Sequence, residues 1–433
     1  MKFAPSLKFI KSRVLKNFLI YAFGAFLIKG ASVFIAPIVM RILTPEDYGL
    51  LALVTSFINI LFTCAGLGLR QFLTIEYFHC DAYGRKKIIN DMIAIYLLMM
   101  IPVFILLFFS TGIINRIVFV NQAYTSLIVF CLLLAFIKFF VELFYQILQY
   151  TGRAFTLTLV QLFSALIIIS LNLSFLYFLR WGVFSVVAAQ LVSVSVVLLI
   201  AIFFYINQFY HLYFDISCSI SKSWWYIKRG LPFVPRVLFA WILAVGDRWV
   251  LAKYASFADV GIYSVADMFG QLFQMIIILP LSYAYYPYLM KKFAANKDKL
   301  LKADNQNYKT MVVVMIFLFF LVTIGFTLFK PLICIVIPKN YHGALQYIWF
   351  LLIGYIFFLG TYFSTGFLSY QKRIYFLVFA LLVPAIFNIV LNIFLIPIFK
   401  IWGCVFATVL SYFLYFVITV IYNFYVRRSL AGG

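Results

Sequence analysis

RILTPEDYGLLAL, residues 41–53, returns 212 residues later as KYASFADVGIYSV, residues 253–265. A basic residue, a hydroxyl residue, an aspartate and a glycine stay in register: Arg41 with Lys253, Thr44 with Ser256, Asp47 with Asp259, Gly49 with Gly261. A second pair of blocks follows in the same order. QYTGRAF and LNLSFLYFLRWGV are echoed by SYQKRIYF and LNIFLIPIFKIWGC, aligning Asn172 with Asn392 and Trp181-Gly182 with Trp402-Gly403. Ordered matches at a nearly constant offset indicate a chain built from two copies of one unit.

What the unit contains follows from composition. The 433 residues are 66% apolar and only 11% charged, with a mean hydropathy of +1.08. That is a polytopic membrane protein, not a soluble domain. Apolar runs of membrane-spanning length cover residues 17–40, 48–73, 90–111, 123–148, 155–178, 183–207, 232–252, 262–286, 309–330, 346–369, 375–397 and 403–425. They lack the alternation of a membrane barrel strand, so they are helices. Each repeat holds six of the twelve. An even number points both copies the same way, as a parallel repeat about an axis along the membrane normal with a central cavity. The expected organisation is an all-α membrane protein with one six-helix bundle over 1–207, a linker over 208–231 and a second bundle over 232–433. Within the linker, SKSWWYIKRG (221–230) mixes Trp and Tyr with Lys and Arg. It suits an amphipathic elbow lying along the membrane surface, with docking of a partner as the other reading. The amino-terminal MKFAPSLKFIKSRVLKNFLIY is basic and then apolar. Its apolar run is too long for a signal peptide and has no small-residue cleavage site, so it is expected to remain as the first helix.

The formal charge is +22. Loop assignment puts 22 Lys and Arg on the face that holds both termini and seven on the other. The richer face is therefore expected to be cytoplasmic. Topology accounts for most of the surplus, and nothing requires a nucleic-acid partner. The six cysteines have no CxxC spacing and the three histidines lie far apart, which argues against disulfides, a metal or a cofactor.

Five basic residues are left inside the spans: Lys29, Arg70, Lys138, Arg236 and Arg248. Lys29, in AFLIKGASVF (25–34), sits about 12 residues from either end of its run. That is roughly 18 Å, about half a bilayer core, too deep for its ammonium to reach water. It is expected either to line a cavity as a phosphate-binding cation or to pair with a buried carboxylate. Lys138 lies mid-span with Glu142 one turn on. The two can neutralise one another, or Lys138 can face substrate while Glu142 takes up a proton or cation. Arg70 follows GLGL, where Gly66 and Gly68 allow a bend, and it can also snorkel. Pro280 is the matching bend in the second copy. Arg236 follows GLPFVP, either a broken helix start facing an anion or an ordinary first-turn proline. Asp247 and Arg248 point about 100° apart on a helix, so one is expected to pair elsewhere, Arg248 with Asp267. Tyr283, Tyr285, Tyr286 and Tyr288 form either an interfacial belt or a stacking surface for sugars.

RILTPEDYG, GLGLRQ and DRWVLAKYASFADVGIYSVA, taken in order, resemble the oligosaccharide flippases of bacterial polysaccharide export, the Wzx-type proteins. The resemblance covers essentially the whole chain. It places the chain in the superfamily of multidrug extruders and lipid II flippases, though it ends without the two further helices usual in the latter. It implies translocation of an undecaprenyl-pyrophosphate-linked oligosaccharide, such as an O-antigen unit for lipopolysaccharide, across the cell inner membrane. It also implies work alongside a polysaccharide polymerase and a chain-length regulator, and proton or sodium coupling. Lys29, Arg70, Lys138, Arg236 and Arg248 would serve the substrate; Glu142, Asp247, Asp267, Gly68 and Pro280 would serve coupling or gating.

The competing classes fit less well. A multidrug or ion antiporter handling cations would favour intramembrane acids, but five basics face only Glu142, Asp247 and Asp267. A polymerase or glycosyltransferase needs catalytic groups at a membrane face. The outer loops are short, the longest near Lys330 to Gln346, with Lys339 and His342 but no paired carboxylates.

Overall fold

Thr44 and Ser256 each begin a helix in the same way. Thr44 Oγ1 accepts from the Asp47 amide at 3.2 Å and donates to its carboxylate at 2.8 Å. Ser256 does the same with Asp259 at 3.1 and 2.7 Å. These reciprocal caps satisfy amide groups that a helix start otherwise leaves open, which explains why those two residue types repeat. The computed structural model describes residues 35–118, 124–209, 220–295 and 300–431.

Within that frame the first copy runs through α1 (described over residues 35–42), α2 (Pro45–Ala65), α3 (Leu69–His79), α4 (Ala82–Phe109), α5 (Thr111–Val118), α6 (Thr125–Tyr150), α7 (Ala154–Ser174) and α8 (Val183–Phe209). The linker forms α9 (Ile220–Gly230). The second copy holds α10 (Val234–Trp241), α11 (Asp247–Tyr254), α12 (Phe257–Phe273), α13 (Leu279–Ala295), α14 (Leu300–Val336), α15 (Leu345–Tyr370), α16 (Ile374–Phe399) and α17 (Ile401–Ala431). Eleven helical stretches among the described residues are long and apolar enough to cross a membrane. The first expected span, 17–40, lies almost wholly outside them, and with it Lys29. The protein is a multi-pass α-helical membrane protein.

Its packing follows the solvent it was built for. Leu106 and Phe109 of α4 and Ile324 and Leu328 of α14 are exposed, whereas Asn307, Ser364, Asn392, Thr419 and Asn423 are buried. Hydrocarbon faces lipid at no cost, so small and polar side chains gather between helices, where they hydrogen-bond. Asn423, for example, donates to the Ser364 carbonyl at 3.0 Å, and Ser164 bonds Ser193 at 2.8 Å.

The repeat extends to the turns. Helix α6 ends with Gly152 at φ 71° and an Arg153 N–H to Leu148 carbonyl bond of 3.0 Å; α15 ends with Lys372 at φ 57° and the same bond from Arg373 to Leu368. Both are left-handed C-terminal caps, and Arg180 and Lys400 form a second left-handed pair, at φ 53° and 50°.

Contacts divide the molecule into two compact units, one built mainly on Val54–Val234, the other on Pro235–Gly433 together with Leu43–Leu53. The first turns of α2 therefore belong with the second unit. There the two repeat motifs meet: a Cβ on Gly49 would fall 1.8 Å from the Phe257 carbonyl oxygen, and one on Gly261 would fall 2.0 Å from that of Pro45. Two helix backbones touch at this crossing, and only glycine fits. Tyr341 fixes the same turn by donating to the Leu43 carbonyl at 2.9 Å.

Candidate functional site

In the first unit the GLGL stretch breaks the helix rather than bending it. Leu67 and Gly68 take left-handed φ of 45° and 67°, α2 ends at Ala65, and the chain restarts as α3 at Leu69. A left-handed leucine is strained, and the linker helix holds it. A Cβ on Gly68 would lie 2.0 Å from the Gly230 carbonyl oxygen, so α9 closes directly onto the break. Tyr226 of α9 donates to Asp91 of α4 at 2.9 Å, and Arg229 stacks on Trp225 at 3.8 Å. The amphipathic linker segment is thus packed on the first unit.

The break puts Arg70 in the first turn of α3, where its guanidinium pairs with Glu142 of α6 at 3.0 Å. Of the two readings open for Lys138 and Glu142, direct pairing with each other is not the one drawn: among the described residues the ion pair of Glu142 is with Arg70. An i, i+4 spacing permits a pair but does not compel it, and Arg offers a fork that a carboxylate can engage at two points. Lys138 Nζ instead lies over the Phe62 ring, 5.7 Å from its centre, and the Arg70 guanidinium lies 5.7 Å from the same centre. Two basic groups and one carboxylate leave this cluster with one positive charge if all are ionised. The pair is open, with side-chain exposures of 41% and 25%. Gln146 Nε2 donates to the Arg70 carbonyl at 2.9 Å and also to Thr74 and Tyr150, and Tyr150 donates to Thr74 at 2.7 Å. Sequence reasoning passed over Gln146. Its signal was the spacing, since 138, 142 and 146 form one polar stripe on an apolar helix.

The second unit carries a cluster of opposite sign. Arg248 pairs with Asp267 at 2.6 Å, and all three of Asp247, Arg248 and Asp267 are buried. Asp267 also accepts from Gln271 at 2.8 Å and from Tyr355 at 3.0 Å. Asp247 accepts from the Arg248 amide at 2.8 Å, from Tyr263, and from Thr408 at 3.2 Å. Two carboxylates and one guanidinium leave one negative charge if all are ionised. Asp247 and Arg248 were expected to face apart, but one surface of α12 receives both: Tyr263, Asp267 and Gln271 recur every fourth residue along it. A π turn over Ile242–Gly246 precedes Asp247 and adds a residue to the helical register there. A buried charge group of this kind is costly unless it is hydrogen-bonded; Arg248 Nε is buried without a hydrogen-bond partner among the described residues.

The remaining candidates separate. Arg236 is exposed near the start of α10. Its helix begins at Val234, inside GLPFVP, but not as a free start. A 3-10 turn over Leu231–Phe233 carries the chain from α9 into α10, so no free helix start lies beside the arginine. Pro280 sits in the first turn of α13, directly after a π turn over Gln274–Ile278 that accommodates its missing N–H. Tyr285 donates to Asn307 at 3.1 Å and packs on Phe363 at 4.8 Å, while Tyr286 and Tyr288 are exposed. Among the described residues no three His, Cys, Asp or Glu side chains converge as metal ligands would.

The architecture is that of membrane transporters. One solved structure, described as the inward-facing conformation of a multidrug resistance MATE family transporter of the MOP superfamily, superposes with a TM-score of 0.68 at 16% identity, covering 96% of this chain and 95% of the other. The lipid II flippase MurJ, in an inward closed conformation, superposes with a TM-score of 0.72 at 16% identity, covering 94% of this chain and 87% of that one. No protein of curated function matches the chain. The family is shown by sequence: the model for polysaccharide biosynthesis proteins matches residues 14–293, well over half of the chain, and the chain belongs to that family.

Proposed function

We propose that this protein is a flippase that moves an undecaprenyl-pyrophosphate-linked oligosaccharide from the cytoplasmic to the outer leaflet of a bacterial inner membrane, by alternating access of its two halves, for assembly of a surface polysaccharide. The observation that carries the proposal is the cluster of Arg70, Glu142 and Lys138, where two basic side chains, one of them mid-span, meet one carboxylate. A surplus cation in a span suits a phosphate, which Lys and Arg bind through charge-assisted hydrogen bonds. Membership of a polysaccharide-biosynthesis family supports a sugar-bearing substrate, and the fold shared with MurJ is compatible with a lipid-linked one. The 22 basic loop residues on one face against seven on the other support cytoplasmic termini. Loading from that side, a negative interior favours the outward move of an anion by about 2.3 kcal/mol per charge per 100 mV of field crossed.

The acid-rich cluster at Asp247 and Asp267 fits a supporting role: binding a proton or sodium ion that drives the return step. It also gives the one observation in favour of the antiporter reading, since an extruder of organic cations needs acids. Those acids are buried among Tyr263, Tyr355 and Arg248, whereas Arg70 and Glu142 are partly exposed, so the flippase reading is preferred. Replacing Lys138 by Ala, or Lys29 by Ala, is expected to abolish surface polysaccharide while the protein stays at its normal level in the membrane. Normal polysaccharide export by Lys138→Ala, together with efflux of a fluorescent cation by the wild-type chain, would replace the flippase with the antiporter.

A further inference from the structure

The ion pair of the first unit is held differently from a structural bridge. Among the described residues no donor besides Arg70 reaches the Glu142 carboxylate, whereas Asp267 of the second unit holds Gln271 and Tyr355 as well as Arg248. The helices do not depend on the pair. Gln146, one turn further along α6, donates to the Arg70 carbonyl at 2.9 Å, and Tyr150 donates to Thr74 at 2.7 Å. These bonds keep α3 seated on α6 when the guanidinium changes partner.

The repeat adds an independent observation. The matching caps, Arg153 on Leu148 and Arg373 on Leu368, set α6 and α15 in register. In that register Lys138, Glu142 and Gln146 correspond to Phe358, Tyr362 and Gly366. The second copy builds the same helix with no charge at any of the three positions, so the shared scaffold does not demand the charges of the first. Arg70 also lies in the first turn of α3, whose N-cap is Gly68 and whose first turn holds no acid. A helix start of this kind favours a negative group, and α6 supplies one. Lys138, one turn from Glu142 on the same face, has no carboxylate partner among the described residues.

We propose that the Glu142 carboxylate is a built-in rival of the substrate's phosphate. It holds Arg70 in the absence of substrate, yields the guanidinium to a pyrophosphate oxygen when substrate binds beside Lys138, and returns to displace it. The inference rests on the flippase reading and adds a means of release to it. A carboxylate and a phosphate oxygen engage a guanidinium through the same charge-assisted bonds. Being tethered, the carboxylate competes at a high effective concentration, which keeps the lipid head from being trapped between two cations.

The test uses the full-length chain purified in detergent, with inorganic pyrophosphate as the probe. Glu142→Gln keeps the shape of the side chain and removes its charge. It is expected to bind pyrophosphate about tenfold more tightly than wild type, and Glu142→Ala, a second variant in case the first folds poorly, should do the same. Export of surface polysaccharide by cells carrying either variant should fall. In infrared difference spectra, pyrophosphate added to the wild-type chain should shift a carboxylate stretching band, and that shift should be missing from both variants. Unchanged or weaker pyrophosphate binding by the variants would overturn the proposal, because a carboxylate that merely positions Arg70 aids binding. Tighter binding without a band shift in the wild type would also overturn it, leaving repulsion at a distance as the whole effect. Normal export by both variants would remove the release role and the proposal with it. All three outcomes leave the phosphate site standing. Failure of the wild-type chain to bind pyrophosphate would instead remove that site, and with it both the flippase reading and this inference.

Discussion

The two halves of this protein share caps, turns and helix order, yet each has built a different charge cluster. Arg70, Lys138 and Glu142 form a half-open group with one surplus positive charge. Asp247, Arg248 and Asp267 form a buried group whose carboxylates outnumber its cation. The first is held loosely, by one ion pair, a ring and a glutamine. The second is held by tyrosine, threonine and glutamine donors from α12, α15 and α17. Duplication supplied the scaffold twice, and the polar residues then specialised. A partly exposed cluster with a spare cation can exchange ligands, whereas a buried and extensively hydrogen-bonded one is suited to holding structure or a small ion.

Substitutions should expose that difference. The largest effect is expected from Arg248→Ala. It strands two buried carboxylates, and breaking a buried pair by removing one partner costs about 3–5 kcal/mol. Thermal unfolding in detergent should show a large fall, and the double variant with Asp267→Asn should recover much of it. Full stability in Arg248→Ala would mean that the buried cluster is not a closed unit. Arg70→Ala should act in the opposite way. The pair is open, so its loss costs about 1 kcal/mol or less, but polysaccharide export should fall sharply. If Arg70→Ala unfolds the protein as Arg248→Ala does, the contrast between the clusters fails. The smallest effect concerns the shared scaffold: Lys372→Gly relieves a left-handed residue where the first half already has Gly152, and should raise stability by about 1 kcal/mol. No gain would show that Lys372 makes compensating contacts.

Much of the fold was legible because the membrane imposes simple arithmetic. A bilayer demands runs of about 20 apolar residues, and among the described residues eleven such helices overlap those runs, although the run expected over 48–73 spans only Pro45–Cys64 because the chain breaks before Leu69. Thr44 and Ser256 announced caps because few residues satisfy open amide groups. The site was legible in kind but not in pairing. Charged residues stand out in an apolar chain, so Arg70, Lys138, Glu142, Asp247, Arg248 and Asp267 could be picked out at once. Their partners could not, because Glu142 chose between a neighbour four residues away and Arg70, 72 positions back, and nothing local ranks those options. Gln146, Tyr263, Tyr355 and Thr408 were hidden for a related reason. Polar but uncharged, they resemble the many hydroxyl and amide groups that pack ordinary membrane helices.

The amino-acid sequence by itself determined that this chain crosses a membrane repeatedly, is made of two like copies, and keeps costly charges in its spans, because hydrocarbon penalises every other arrangement of those residues. Only the tertiary structure decided which charges meet, that Gly49 and Gly261 cross backbone to backbone, and that the linker helix closes onto the break at Gly68. Those outcomes depend on distances between segments far apart in the chain, and such distances are fixed by how whole helices pack.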